Sequence, residues 1–252
     1  MKKTFRRVTR KLLPDRQPIM GQTNEPLDQV NEAVNFDLQT IFIAIPKTGT
    51  TSVREQLCPQ GKALIYDPHL NILQVREALY IFLLINALGK NLTFPTAGHP
   101  SDAELRATSR DIFDRCFKFS SVRNPWARTA SLYFRYEGVA AKEQMTFEDF
   151  CEQHIYASDT CIHPTLHKNQ LDWLTDESGN VLMDYIYKVE EFEQAIADIK
   201  AMTNGRIQLK YAQANQNPRS QSMTYRELYS DRSRQLIAQR FAKDIEYFQY
   251  TF

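Results

Sequence analysis

Two apolar, β-rich runs, each closing in a turn that opens into helix, settle much of the architecture available to this 252-residue chain. Thr40-Ile41-Phe42-Ile43-Ala44-Ile45 is apolar without alternation, as expected of a strand covered on both faces. It stops at Pro46, a turn containing Gly49 follows, and helix is expected from about Thr51 to Leu57. The second run, Phe117 to Val122, leads into Asn124-Pro125, where proline suits the first turn of a helix that continues from Ala127 to Tyr136. Strands of this type alternating with helices predict an α/β fold of three layers, a central parallel sheet flanked by helices.

Further elements fit that plan. Val75 to Leu88 reads as a helix too apolar to lie free on a surface, and Ser101-Asp102-Ala103-Glu104 has the form of a capping box opening another. A further segment stands at Phe147 to Cys151, followed by a turn at residues 176–179, a short strand near Tyr185 to Val189 and helix from Glu191 to Met202. Asp231 to Phe248 reads as one closing amphipathic helix, with Leu236, Ile237, Phe241, Ile245 and Phe248 at 3–4 spacing.

Residues 1–35 are polar and punctuated by Pro14, Pro18, Gly21 and Pro26, and read as a tail and lead-in to a single domain over residues 36–252. Residues 1–16 carry seven basic side chains and one acid, so this segment holds +6 and the remainder −5 of a formal net charge of +1. The balance offers no basic field on the scale of nucleic-acid binding. The longest apolar run, Ala78 to Ile85, is far short of the roughly 20 residues of a membrane-spanning helix. Cys58, Cys116, Cys151 and Cys161 form no CxxC pair, so reduced thiols and a cytoplasmic setting are expected.

Chemistry concentrates at the two strand-to-helix joints. Pro46-Lys47-Thr48-Gly49-Thr50-Thr51-Ser52 stands where unpaired helix amides and the helix dipole favour an anion. Gly49 permits close backbone approach, Thr48, Thr50, Thr51 and Ser52 carry hydroxyls, and Lys47 adds a point charge. The same residues would also serve a plain capped turn. The order differs from a Walker A loop, because Lys47 precedes the glycine. At the second joint Arg123 stands at a strand end and Ser131 lies eight residues on, within the helix, a fork and a hydroxyl suited to a phosphate monoester. Arg128 lies on the same helix face as Ser131 and is open to a structural ion pair or to a ligand contact.

The first stretch resembles the 5′-phosphosulfate loop of sulfotransferases, and the stretch from Arg123 to Ser131 resembles their 3′-phosphate motif. The likeness runs more weakly through Gln170-Leu171-Asp172-Trp173-Leu174, Lys188-Val189-Glu190 and Asp244 to Phe252, and points to bacterial members related to carbohydrate sulfotransferases. The resemblance implies a P-loop-like sulfotransferase fold. It further implies transfer of a sulfuryl group from 3′-phosphoadenosine-5′-phosphosulfate (PAPS) to a hydroxyl or amine of a carbohydrate or small metabolite, with no metal required. Lys47 and the loop amides would stabilise charge developing on the departing phosphate.

A hydroxyl acceptor needs a base, a role suited to histidine. His99, in Gly98-His99-Pro100, resembles the family's histidine before a helix; His69 is the alternative. Cys161, His163 and His167, with His154 upstream, lack a recognised metal-site spacing. Two other functions stay open on the residues: a nucleotide-dependent phosphoryl transferase, and a nucleotide- or glycan-binding module without turnover.

Overall fold

The computed structural model describes residues 26–88, 100–135, 145–156, 168–211 and 224–252. The run at Thr40 forms strand β2 (Thr40–Ile43), every residue of it buried. Its side chains alternate between two cores, as the two-residue period of a strand requires. Ile41, Ile43 and Ile45 enter one core, while Phe42 and Ala44 enter the other.

Strand β3 (Phe117–Val122) pairs parallel to β2, with Thr40 opposite Phe117 and Ile43 opposite Ser120. Strand β4 (Tyr185–Lys188) pairs parallel to β3, with Val122 opposite Lys188. Side chains reinforce the register: Thr40 Oγ1 donates to the Phe117 carbonyl at 2.8 Å, and Ser120 Oγ to the Ile43 carbonyl at 2.7 Å.

The layers follow from those two cores. Helix α1 (Thr50–Leu57) covers one face with Val53 and Leu57. The opposite face packs helix α2 (Ile72–Leu88), helix α3 (Asp102–Arg115) and helix α4 (Pro125–Arg135). The short helix α5 (Phe147–Phe150) lies on that second side too, while α6 (Phe192–Met202) joins α1 on the first through Ala195 and Ile199. The capping box at α3 forms as its sequence predicts: the Ser101 amide donates to Glu104 Oε2 at 2.7 Å and the Glu104 amide to Ser101 Oγ at 3.3 Å.

Three expectations change. The sheet is mixed, because the two-residue strand β1 (Val34–Asn35) pairs antiparallel to β2; a strand so short leaves no periodic signal. The lead-in packs into the body at its end, with Val30 and Val34 fully buried. The expected closing helix is two, α7 (Asp231–Arg240) and α8 (Ala242–Phe248), divided at Phe241 with φ −111° and ψ 29°. Phe241 and Asp244 are both buried, and the bend brings the two into the interior together.

Cys58, Cys116 and Cys151 are free thiols, and burial pushes Cys151 up to about 12. Among the described residues, no helix is long and apolar enough to cross a membrane.

One buried cation sits inside the sheet. Lys118 Nζ donates to the carbonyls of Cys116 at 2.8 Å, Phe113 at 3.2 Å and Asp114 at 3.4 Å, closing the negative end of α3. It also lies 3.4 Å from Asp184 Oδ2. Lys118→Met keeps the stem and strips the donors from buried carbonyls, so urea unfolding should register a loss of about 2 kcal/mol. An unchanged unfolding midpoint would mean that those carbonyls find water instead.

Candidate active site

The parallel register brings three chain ends to one edge of the sheet. Beyond Ile43, Val122 and Lys188 the chain continues into the Pro46 loop, Arg123 and Val189 at that edge. Between Pro46 and α1 the backbone turns through two left-handed residues, Lys47 at φ 70° and Gly49 at φ 73°. A lysine in that region is strained by about 1–3 kcal/mol and persists only where its surroundings hold it. Two contacts do so: Arg123 Nη1 donates to the Lys47 carbonyl at 3.4 Å, half-buried, and Arg128 Nε to the Pro46 carbonyl at 3.0 Å, buried.

The start of α1 is built without a negative partner of its own. Gly49 occupies the N-cap, no side chain caps it, and the first turn contains no acid. The amides of Thr50, Thr51 and Ser52 therefore meet the end of the loop with the dipole's positive pole uncompensated. The Thr48 hydroxyl is fully buried and donates to the Ile45 carbonyl at 3.0 Å. Its 2.8 Å contact with Ser121 Oγ then has Ser121 as donor. Thr48 thus spends its hydrogen on Ile45, and the tie to β3 uses the Ser121 hydrogen. Ser52 is buried with its hydroxyl 3.4 Å from the Gly49 carbonyl, Thr50 is buried, and Thr51 and Lys47 are half-buried.

Arg123 is held by its backbone. The Gln170 side chain accepts from the Arg123 amide and donates to its carbonyl, both at 2.8 Å. Burial lowers the guanidinium pKa, opposed by the neighbouring Glu190 carboxylate. Asn124 starts α4 by accepting from the Trp126 amide at 3.1 Å, and its own amide donates to Glu190 at 3.0 Å. Ser131 stands half-buried on α4, six residues beyond Pro125 and so roughly 9 Å along the helix axis.

Arg128, left open by the sequence, points inward. It is buried, with Nε on Pro46, Nη1 3.5 Å from the Lys168 carbonyl, and the Asp244 carboxylate nearby. Burial pulls its pKa down to about 10 while Asp244 opposes the shift, so it remains a cation at neutral pH.

His69 lies at the same edge. Its Nδ1 is 2.7 Å from the Ala44 carbonyl, which can only accept, so Nδ1 carries the hydrogen and Nε2 is the basic nitrogen of the neutral ring. His99, Cys161, His163 and His167 lie outside the described residues, as does the side chain of His154. Among the described residues no group of three or more metal-ligating side chains gathers.

Three residues join the site that the sequence reading placed only within stretches of weaker likeness, without a role: Gln170, Val189 and Asp244. The usable signal was Asp244, a carboxylate on the apolar face shared by Phe241 and Phe248. Val189 explains Gly49 more sharply than loop flexibility does, because a Cβ at position 49 would lie 2.7 Å from Val189 Cγ2. Gly49→Ala should therefore lose about 1–2 kcal/mol from its positive φ alone, plus the cost of the clash. Adding Val189→Ala should restore only the clash component, as chemical denaturation of the two proteins will show. Full recovery in the double variant would make backbone conformation irrelevant there.

No curated protein and no solved structure matches the chain. A family match does cover most of it, residues 33–251, under the description Sulfotransferase family. With the mostly parallel sheet between two helical layers, this match means that the chain belongs to the sulfotransferase family.

Proposed function

We propose that the protein transfers a sulfuryl group from PAPS to a hydroxyl, or an amine, of a carbohydrate or small metabolite. The observation that supports this most is the 3.4 Å contact between Arg123 and the Lys47 carbonyl, which puts a cation beside an acid-free helix start. The residues fit a nucleotide with phosphates at both ends. Gly49 supplies the left-handed turn that ends at the start of α1, the α1 amides and Lys47 suit the 5′ end, and Arg123 with Ser131 suits the 3′ phosphate.

Bound PAPS supplies the sulfuryl group and departs as adenosine 3′,5′-bisphosphate. Lys47 and the amides of Gly49 to Ser52 stand ready for charge on the 5′ side, at no reorganisation cost because the loop is already tied to β3. Arg123 binds and orients. The acceptor's proton goes to a histidine: His99 by its place before α3, or His69, favoured by the basic Nε2 that its bond to Ala44 enforces. No residue of this proposed set calls for a metal.

Adenosine 3′,5′-bisphosphate in EDTA should raise the melting temperature by several degrees, and ADP with magnesium should not. Lys47→Ala should lower kcat by about 10²–10³-fold with nucleotide binding largely kept. Arg123→Ala should weaken bisphosphate binding about tenfold or more. Stabilisation by ADP with magnesium alone would favour a phosphoryl transferase. Bisphosphate binding without sulfation of any acceptor in a broad screen would favour a binding module. Of His99→Ala and His69→Ala, the variant that keeps full transfer eliminates its residue as the base.

A further inference from the structure

Behind the candidate site lies a buried polar network that reaches both joints from the far end of the chain. Asp244, on α8, is fully buried. Its Oδ2 accepts the Gln170 amide at 2.7 Å and Gln170 Nε2 at 3.2 Å, and its Oδ1 accepts the Leu171 amide at 3.0 Å. Arg128 is its charged neighbour. These three bonds all come from N–H donors, which with Arg128 favour the carboxylate, while burial, the larger influence, raises its pKa. From this carboxylate two arms extend. Through Gln170 one arm fixes the amide and carbonyl of Arg123; through Arg128 the other fixes the carbonyl of Pro46, the residue before Lys47.

We propose that Asp244, Gln170 and Arg128 act as a spacing clamp, positioning residues that set the separation between the Lys47 loop and Arg123 so that one nucleotide engages both. The inference rests on the proposed function above and adds what enforces its geometry. Two weak sites joined in one ligand gain affinity only if their spacing matches that ligand, and lose the gain when the spacing drifts. The clamp's signature is therefore selective: it governs adenosine 3′,5′-bisphosphate, which spans both joints, and not 5′-AMP or 3′-AMP, which each occupy one.

The experiment measures dissociation constants for these three nucleotides by calorimetry on the full chain, comparing wild type with Asp244→Asn and Gln170→Met. Asp172→Asn serves as control, since Asp172 pairs with Lys243 at the surface of the same helix contact without touching either arm. The clamp predicts that Asp244→Asn and Gln170→Met each weaken the bisphosphate about tenfold and either monophosphate less than about twofold. Asp172→Asn should leave all three unchanged. Equal weakening of all three nucleotides, or failure of both variants to fold, assigns the network to stability alone and overturns the proposal. A wild type that binds the bisphosphate no better than the monophosphates fails the functional reading and the clamp with it. A wild type that discriminates, with variants that discriminate equally well, fails the clamp alone.

Discussion

Parallel pairing of β2 with β3 is the constraint from which the site follows. In a parallel pair both strands end at the same edge, so the helices that follow start side by side. The register that sets Ile43 opposite Ser120 and Val122 opposite Lys188 ends all three strands at one edge, where Arg123 reaches the Lys47 carbonyl. Any slip by one residue would turn Ile41, Ile43 and Ile45 out of their core and Phe42 into it, which the two-sided burial of β2 forbids. Seventy-six residues separate Lys47 from Arg123 in sequence, yet hydrophobic burial on two faces brings them into contact.

The loop between β2 and α1 shows how much polar structure is needed to keep such an edge in one shape. Left-handed conformations at Lys47 and Gly49 turn successive peptide groups, and no regular ladder is available to satisfy them. Buried side chains take over: Arg128 on Pro46, Arg123 on Lys47, Thr48 on Ile45, with Ser121 completing the set from β3. Beyond Gly49 the helix start has no side-chain cap and no acid in its first turn. An interior this well satisfied beside a helix start this poorly capped is the arrangement expected where a ligand brings the missing negative charge.

Much of this was legible in the residues, for identifiable reasons. The unbroken apolar run at Thr40 to Ile45, the proline at 125 and the Ser101–Glu104 spacing are local signals, and local signals dictated β2, α4 and the α3 cap. The grouping of Lys47 with Arg123 was legible as well, because two like joints on neighbouring parallel strands must share an edge. What stayed hidden was non-local. Strand β1 has two residues and no period. The break at Phe241 arises from packing, since its hydrogen bonds on either side, from the Phe241 amide to Ile237 and from the Ile245 amide to Phe241, are ordinary helical ones at 3.0 Å. The inward course of Arg128 and the bridging by Gln170 depend on partners 82 and 47 residues away, beyond any window of sequence periodicity.

The burial of two opposite charges, Arg128 and Asp244, in one region is hard to explain by stability alone. Removing two charges from water costs several kcal/mol per ion even after relaxation, and well-packed apolar replacements for such pairs are often neutral or stabilising. An apolar pair here would fill the space but would leave the Pro46 carbonyl and the Gln170 and Leu171 amides without partners, each a buried group costing about 1–3 kcal/mol. The Pro46 carbonyl adjoins Lys47, and Gln170 is the residue whose side chain holds the Arg123 backbone. The cost of the charges is thus tied to the one place in the fold where backbone position, rather than core volume, has to be specified. Directional bonds specify position in a way that close packing of Ile, Leu and Phe does not, since apolar contacts tolerate small slides and a fork of N–H donors does not.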